Sequence, residues 1–578
     1  MTALTTYPPD SSPTLPDFSP LEPGRWRALA VLLLAAFMVL LDTSIVTNGL
    51  ATLQRDLRAS SSQVQFVLTG YSVAYGVLLI TGGRLGDLYG RRRMFLLGLS
   101  SFILASALCG LAWSPGSLIA FRVVQGLAAA LLFPQVTSFI QVLFPPSERP
   151  RAFGLQGATI GLGVIAGPLL GGLLIDANLF GSQWRPIFLV NVPVGILALL
   201  WASKVLRESK AGAGRGLDLP GVALLTVALG LLIYPVVEGR EQGWPVWLLS
   251  LLGLSFALLT VFVLYQRRML EQGRTPLVQL AMFSDRSFAV GALIAFVFQT
   301  SVLSYFVVMS LFFQAGLGYG PTRAALLLVA YQVAIAVASL LSARLSVQLG
   351  RSILTLGTVL LMVGLVGILL TLSASGLRYQ GYELIPALLV SGLGFGCIAA
   401  PLQSVILSRV NPAFAGGASG TLATVQQVGS ALGVAVIGIL LFGHLASGAD
   451  AASAKVRPGL ERTLRATRLT PSAVQAVSTS FVTCAYERFN QADLNRVPDS
   501  CRSSAALLTA LPTALARPVG AALSAAGAEV RKQNFLAATL FTLRFQLAAY
   551  ALCFLLVFLL PAKPGAGALL TSAREARS

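Results

Sequence analysis

The sequence predicts an all-α polytopic membrane protein with about fourteen membrane-spanning helices. Three observations carry that expectation. Only 11% of the 578 residues are charged and the mean hydropathy is +0.78, far too apolar for a water-soluble chain of this size. Apolar runs of about 20 residues recur along the chain, each long enough to cross a bilayer as a helix. Lys and Arg gather at the ends of these runs, in the distribution that orients membrane helices.

Cut where charges, Pro and Gly cluster, the runs fall at about 27–50, 64–85, 94–113, 117–141, 152–174, 187–206, 218–238, 245–266, 287–314, 324–349, 352–374, 382–409, 416–444 and 535–561. Residues 1–24, rich in Pro, Ser and Thr, read as a disordered tail, and 562–578 as a second one. No basic segment with a small-residue cleavage site precedes the first run, so a cleaved signal peptide is not expected. Arg91, Arg92 and Arg93 stand between runs 2 and 3 and mark that loop as cytoplasmic. Both termini are then cytoplasmic in a multi-pass protein of the inner (plasma) membrane. Short inner segments hold about 22 Lys and Arg against about 6 in short outer loops. The net charge of +19 therefore reflects topology, not a nucleic-acid surface.

Segment 445–534 is the exception. It should face outward yet carries about 11 Lys and Arg, which loops longer than roughly 60 residues are free to do. Cys484 and Cys501 within it are a candidate disulfide on the oxidising side, the alternative being two unpaired thiols in a flexible loop. Ser472–Tyr486 and Ala505–Leu515 read as short amphipathic helices of a small outer cap. The five cysteines lack metal-ligand spacing, so no metal site is expected.

The loop after run 2 reads Gly83-Arg84-Leu85-Gly86-Asp87-Leu88-Tyr89-Gly90-Arg91-Arg92-Arg93. Gly83, Gly86 and Gly90 allow a tight turn and close helix approach. Asp87 calls for a cation or a helix N-terminus beside it. A topogenic charge cluster accounts for the arginines alone, not for glycines at fixed offsets around one acid. The stretch resembles the loop between the second and third helices of the major facilitator superfamily, G-x-L-[AG]-D-x-x-G-[RK]-[RK], at every defining position. Ala343–Arg351 aligns to Gly83–Arg91 without gaps, with Val347 where Asp87 stands. Two six-helix halves related by an axis along the membrane normal produce such a repeat, as in the superfamily. The expected organisation is a first half at 25–210, two inserted helices at 211–275, and a second half at 276–561 that includes the outer loop. Fourteen spans so arranged resemble the drug:proton antiporter branch of multidrug efflux type.

In run 1, Leu41-Asp42-Thr43-Ser44-Ile45-Val46-Thr47-Asn48 resembles that branch's L-D-x-[TS]-I-V-N-x-A-L-P, although Gly49–Leu53 lacks the Ala-Leu-Pro ending. Asp42 is the clearest carboxylate deep in any run, and burial favours the neutral form of a carboxyl, the condition for taking up a proton. The alternative is a structural acid hydrogen-bonded to Thr43 or a helix end. Run 4 carries Arg122-Val123-Val124-Gln125-Gly126, resembling the superfamily's R-x-x-Q-G; the family implies proton coupling through a nearby carboxylate, with Asp42 a candidate partner. Run 5 fits the antiporter pattern G-x8-G-x3-G-P-x2-G-G with Gly154, Gly163, Gly167, Pro168, Gly171 and Gly172. Small residues at this spacing pack helices closely and Pro168 bends the span; by resemblance the string points to antiport. Trp184–Gly195 resembles the branch's W-R-W-I-F-x-I-N-V-P-I-G, with Pro186 for the second Trp, and Gly416–Gly433 resembles its span 13. Asn48, Tyr71, Gln125, Gln299, Gln332, Gln403, Gln426 and Gln427 are candidates to line a cavity, each also readable as a satisfied interhelical hydrogen bond. His444 reads as an interfacial residue.

No phosphate-binding loop, metal cluster or nucleophile triad is present, so enzyme activity and cofactors are not expected, and the proton gradient is the expected energy source. Apart from Asp42 the spans hold almost no carboxylates; Glu238 and Glu241 read as outer-end residues outside the core, which favours a neutral or anionic amphiphile as cargo. The expected protein is a monomeric proton-coupled exporter in the lipid bilayer, taking small amphiphilic substrates and protons and no nucleic acid. A lipid or natural-product exporter working with a periplasmic or outer acceptor protein is the first alternative, and a non-transporting receptor or scaffold the second.

Overall fold

A computed structural model describes residues 24–178, 181–210, 216–239, 242–274, 276–376, 381–408, 410–490, 498–502 and 512–561. Both tails lie outside these, apart from Gly24. The fold is all-α. The first half comprises α1 (Arg25–Asp56), α2 (Ser61–Tyr89), α3 (Arg91–Gly110), α4 (Pro115–Leu143), α5 (Arg149–Ala177), and a sixth span divided into α6 (Pro186–Leu189) and α7 (Asn191–Val205). The inserted pair is α8 (Leu219–Glu238) and α9 (Val246–Glu271). The second half comprises α10 (Arg286–Leu311), α11 (Pro321–Leu349), α12 (Ser352–Ser375), α13 (Ile385–Leu407), α14 (Ala415–Ala466) and α16 (Thr513–Val557), with α15 (Pro471–Asn490) lying between the last two.

Among the described residues, thirteen helices are long and apolar enough to cross a membrane. α5 is a further helix of spanning length: its 29 residues rise about 43 Å and it packs between α1 and α11. With α5 the membrane-spanning helices number fourteen.

Serine side chains open several helices. Ser60 and Gln63 form a capping box at α2, and Ser114 and Ser117 form one at α4. The inserted hairpin is fixed at its base by Asp218, which caps α8 through Gly221 N (2.9 Å) and accepts from Tyr265 Oη (2.9 Å) and Gln266 Nε2 (2.7 Å) of α9. α8 then packs its apolar face, Leu225, Leu229, Leu232 and Ile233, on Val77 and Ile80 of α2. The insertion is thus seated on the first half beside α14.

Two sequence expectations change. The outer segment is not one long loop beginning at 445. α14 continues unbroken to Ala466 and α16 begins at Thr513, so both helices extend well past the apolar stretches read as spans. Leu445, Ala449, Ala452, Val456, Leu460 and Leu464 follow helical spacing along α14 and bury against Val474, Val477 and Phe481 of α15 and Val530 of α16. A helical cap results. Glu461 of α14 accepts from Arg457 Nε one turn earlier (2.8 Å) and from Ser478 Oγ of α15 (3.2 Å), and the second bond ties the two helices. The Arg457 hydrogen bond holds the Glu461 carboxyl below its usual range, so this tie is intact at neutral pH and weakens as acid protonates it. Residues 503–511, most of the second expected amphipathic helix, lie outside the described residues. The second change concerns Glu238, which is buried against α2 instead of standing outside the core.

Cys484 and Cys501 are joined in a disulfide that closes α15 onto residues 498–502. A crosslink over 17 residues stabilises a fold by about 3 kcal/mol in the loop-entropy account. Replacing both cysteines by serine is therefore expected to speed proteolysis within 470–512 while leaving the spans protected, as read by limited proteolysis and mass spectrometry. Equal cleavage in both proteins would show that helix packing alone holds the cap.

Candidate functional site

Asp42 and Arg122, 80 residues apart in sequence, meet inside the first half. Both side chains are buried, at 0% and 1% exposure, and Arg122 Nη1 lies 2.6 Å from Asp42 Oδ2. The other carboxylate oxygen, Oδ1, accepts from Gln125 Nε2 (2.8 Å) and Asn191 Nδ2 (2.9 Å). Arg122 Nε donates to the carbonyl of Val67 (3.2 Å), Nη1 also donates to Gln125 Oε1 (2.7 Å), and the guanidinium lies 4.2 Å from the centre of the Tyr71 ring. Ser106 Oγ receives Gln125 Nε2 at 2.7 Å. Five helices thus converge on one carboxylate. Burying an unpaired ion is costly, and this geometry supplies the opposite charge and the hydrogen bonds that offset the loss of water.

Asp87 lies at the other end of α2, and it bridges the two halves. Its Oδ1 accepts from Arg91 Nη2 (2.8 Å) and from the backbone N–H of Gly416 (3.0 Å), while Oδ2 accepts from Gly417 N–H (2.8 Å). Gly416 and Gly417 form the first turn of α14, whose free N–H groups and positive dipole end attract an anion. Arg91 also donates to the carbonyl of Pro412 and to Ser209 Oγ, both at 2.8 Å. A side chain on Gly83 would strike the Gly416 carbonyl, so glycine there lets α2 and α14 approach closely, and one on Gly86 would strike Gln135 of α4. Gly90, at φ 108°, adopts a backbone conformation that other residues rarely take, and Glu208 fills the space beside it. Arg92 donates to the Ser203 carbonyl (2.7 Å), and Arg93 pairs loosely with Glu208. The bundle is closed at this end.

The sequence profile of the Major Facilitator Superfamily matches residues 32–434. The chain belongs to the major facilitator superfamily. Within it, the chain falls in the multidrug and antibiotic efflux branch. It is 39% identical over 544 residues to a probable actinorhodin transporter of Streptomyces coelicolor, covering 93% of this chain and 92% of that one. It is 36% identical over 430 residues to a puromycin resistance protein of Streptomyces alboniger, covering 74% and 84%. The crystal structure of the human organic anion transporter MFSD10 shares the fold at a TM-score of 0.52 and 16% identity, over 72% of this chain and 93% of that one.

In this major facilitator the run-5 glycines face two ways. Gly154 abuts α11 of the second half, where an added Cβ would lie 2.7 Å from the Ser339 carbonyl and from Ala343 Cβ. Gly163 and Gly167 face α1, beside Leu40 and Ser44, and Ser44 Oγ donates to the Gly163 carbonyl (3.1 Å). Close packing of α5 on α1 therefore flanks Asp42. Gly171 is buried, Gly172 meets nothing within 4 Å, and the side chain of Pro168 lies outside the described residues. Of the cavity candidates, Tyr71 and Gln125 belong to the Asp42 site. Gln427 faces α2 at Gly76 and Gln332 faces α5 at Gly161, both on the seam between the halves. Gln299, Gln403 and Gln426 are half-buried and not joined to that site, and the Asn48 side chain lies outside the described residues. Sequence reading missed Asn191 as a partner of Asp42. Its place in the W-R-x-I-F motif was the available signal, and only the break before α7 turns it inward.

Asp87→Asn is expected to speed hydrogen–deuterium exchange at the Gly416 and Gly417 amides on the order of tenfold or more, since charge-assisted hydrogen bonds contribute about 1.5–3 kcal/mol. Unchanged protection would mean that the glycine contacts hold this end shut without the carboxylate.

Proposed function

We propose that this protein exports hydrophobic or amphiphilic natural products of antibiotic type in exchange for protons, by alternating access between its two halves. The observation that carries the reading is the buried Asp42–Arg122 pair in a chain otherwise almost free of intramembrane acids. Similarity to a probable actinorhodin transporter and a puromycin resistance protein supports the cargo class.

The site's chemistry follows from its partners. With Asp42 ionised, Arg122 compensates it. A proton on Asp42 abolishes that attraction, yet Arg122 keeps the Val67 carbonyl, Gln125 Oε1 and the Tyr71 ring. Those contacts offset part of the cost to the buried cation of losing its counter-ion. The Asp87 end, carrying three arginines, is the cytoplasmic end in this reading, with both termini on that side of the plasma membrane. The state described is closed to the cytoplasm, and export requires that the Asp87 contacts to α14 release to admit cargo. The chain acts as a monomer.

The helical cap favours a second reading, in which cargo passes to an outer acceptor. It is built on the ends of α14 and α16, and it is absent from the stretch matched by the superfamily profile. Deleting about 450–530, which removes the cap and leaves the spans, should spare dye export and abolish hand-over.

Asp42→Asn is expected to insert and fold but to abolish cargo-driven proton movement. The measurement is purified protein in liposomes with an interior pH dye, challenged with cationic, neutral and anionic amphiphiles. Full proton exchange by Asp42→Asn would sink the assignment. Silence of the unaltered protein across the panel would favour the hand-over reading.

A further inference from the structure

Glu238 ends α8 and is 4% exposed. Thr69 Oγ1 of α2, itself buried, donates to Glu238 Oε1 at 3.2 Å. Thr69 stands two residues, about 3 Å of helix rise, from Val67, whose carbonyl holds Arg122. Two carboxylates therefore reach α2 at nearly one depth. Asp42 does so from inside the first half through Arg122, and Glu238 does so from the inserted pair.

Asp42 has a guanidinium beside it. Among the described residues Glu238 has no Lys, Arg or His within ion-pair distance, and the Thr69 hydroxyl is its one hydrogen-bond donor. Its position at the C-terminal end of α8 adds the repulsion of the last-turn carbonyls. A buried carboxylate with one hydroxyl donor, no counter-ion and an unfavourable dipole requires a positive charge from elsewhere. The described residues of the neighbouring helices do not supply it. α2 offers Tyr71 and Tyr75 near Thr69, α8 offers Tyr234, and α14 offers the neutral Gln427. α9 carries Arg267, Arg268 and Glu271 at its far end. Arg240 and Glu241 lie outside the described residues. The location also suits a part in transport. A Cβ on Gly76 of α2 would lie 2.8 Å from Ile233 of α8 and 3.1 Å from Gln427 of α14, so α8 sits on the seam that must move when the halves rock.

We propose that Glu238 is a second cation-accepting site of the transport cycle, contributed by the inserted helix pair and filled by a proton or by the ammonium group of a cargo. The proposal rests on the exchange reading given above. A proton adds to one carboxylate oxygen and leaves a neutral acid that keeps the Thr69 hydrogen bond. An organic cation instead leaves an ion pair in the same place.

Infrared difference spectra of the full-length protein in bilayers test this. They are recorded across pH and with tetraphenylphosphonium as the cationic probe, for the unaltered protein, E238Q, T69V and D42N. Glu238→Gln preserves volume, and Thr69→Val removes only the hydrogen bond, so folded protein is retained in at least one of the two. A carboxyl C=O band that E238Q loses, T69V shifts and D42N keeps is the expected result. Its appearance with pH alone identifies the proton as the filling cation, and a carboxylate change with tetraphenylphosphonium at fixed pH identifies an organic cation. Absence of any band or carboxylate change specific to Glu238 under both conditions overturns the proposal. The spectra do not depend on transport, so a protein that exports nothing in liposomes would overturn the exchange reading and leave this one to be decided by the band.

Discussion

The cost of placing charge in an apolar medium organises this structure. Asp42 is tolerated because Arg122, Gln125 and Asn191 reach it from α4 and α7, and Val67 and Tyr71 of α2 hold the guanidinium. Ser106 of α3 completes the network through Gln125. The helix order of the first half is thus tied to one carboxylate. The sixth span divides at Val190, which starts α7 at Asn191 and aims its amide at Asp42. Among the described residues the second half shows no such pair at its centre. Tyr305, Phe306, Tyr331 and Phe395 stack there instead, as an apolar and aromatic core.

The same asymmetry appears in the repeated loop. Arg91 of the first half grips Asp87 and the Pro412 carbonyl, joining one half to the other. Its counterpart Arg351 donates to the carbonyls of Phe558 and Leu560 (3.2 and 3.0 Å), at the end of α16 within its own half. With Val347 in the acid's place, the second loop has no carboxylate to offer a helix N-terminus across the seam. One copy of the repeat became the closing contact and the other a helix C-terminal clamp. Glycines make the first copy work, because Gly83 and Gly416 let the backbones of α2 and α14 approach closely enough for Asp87 to reach two N–H groups.

Much of this was legible in the chain itself. Bilayer thickness sets a run length that hydropathy reports directly, and the Gly83–Arg93 and Gly154–Gly172 strings name packing contacts whose spacing is local to one helix. Asp42, Arg122, Asp87 and the Cys484–Cys501 pair could therefore be singled out by residue type and position. The cap was harder, because α14 crosses without a break from apolar membrane sequence to charged aqueous sequence, and a hydropathy boundary does not mark a helix end.

The sequence by itself determined the membrane class, the span number, the two-half repeat, and which residues carry charge where charge is expensive. Only the tertiary structure decided what each charge meets. Asp42 pairs with Arg122 across 80 residues, Asp87 with Gly416 across 329, and Thr69 with Glu238 across 169. Periodicity and hydropathy act over a single helix, whereas the compensation of a buried ion is supplied by whichever helix packs beside it. For that reason Glu238, read along the chain, stood at the edge of the membrane, and in the fold it lies against α2 beside Thr69.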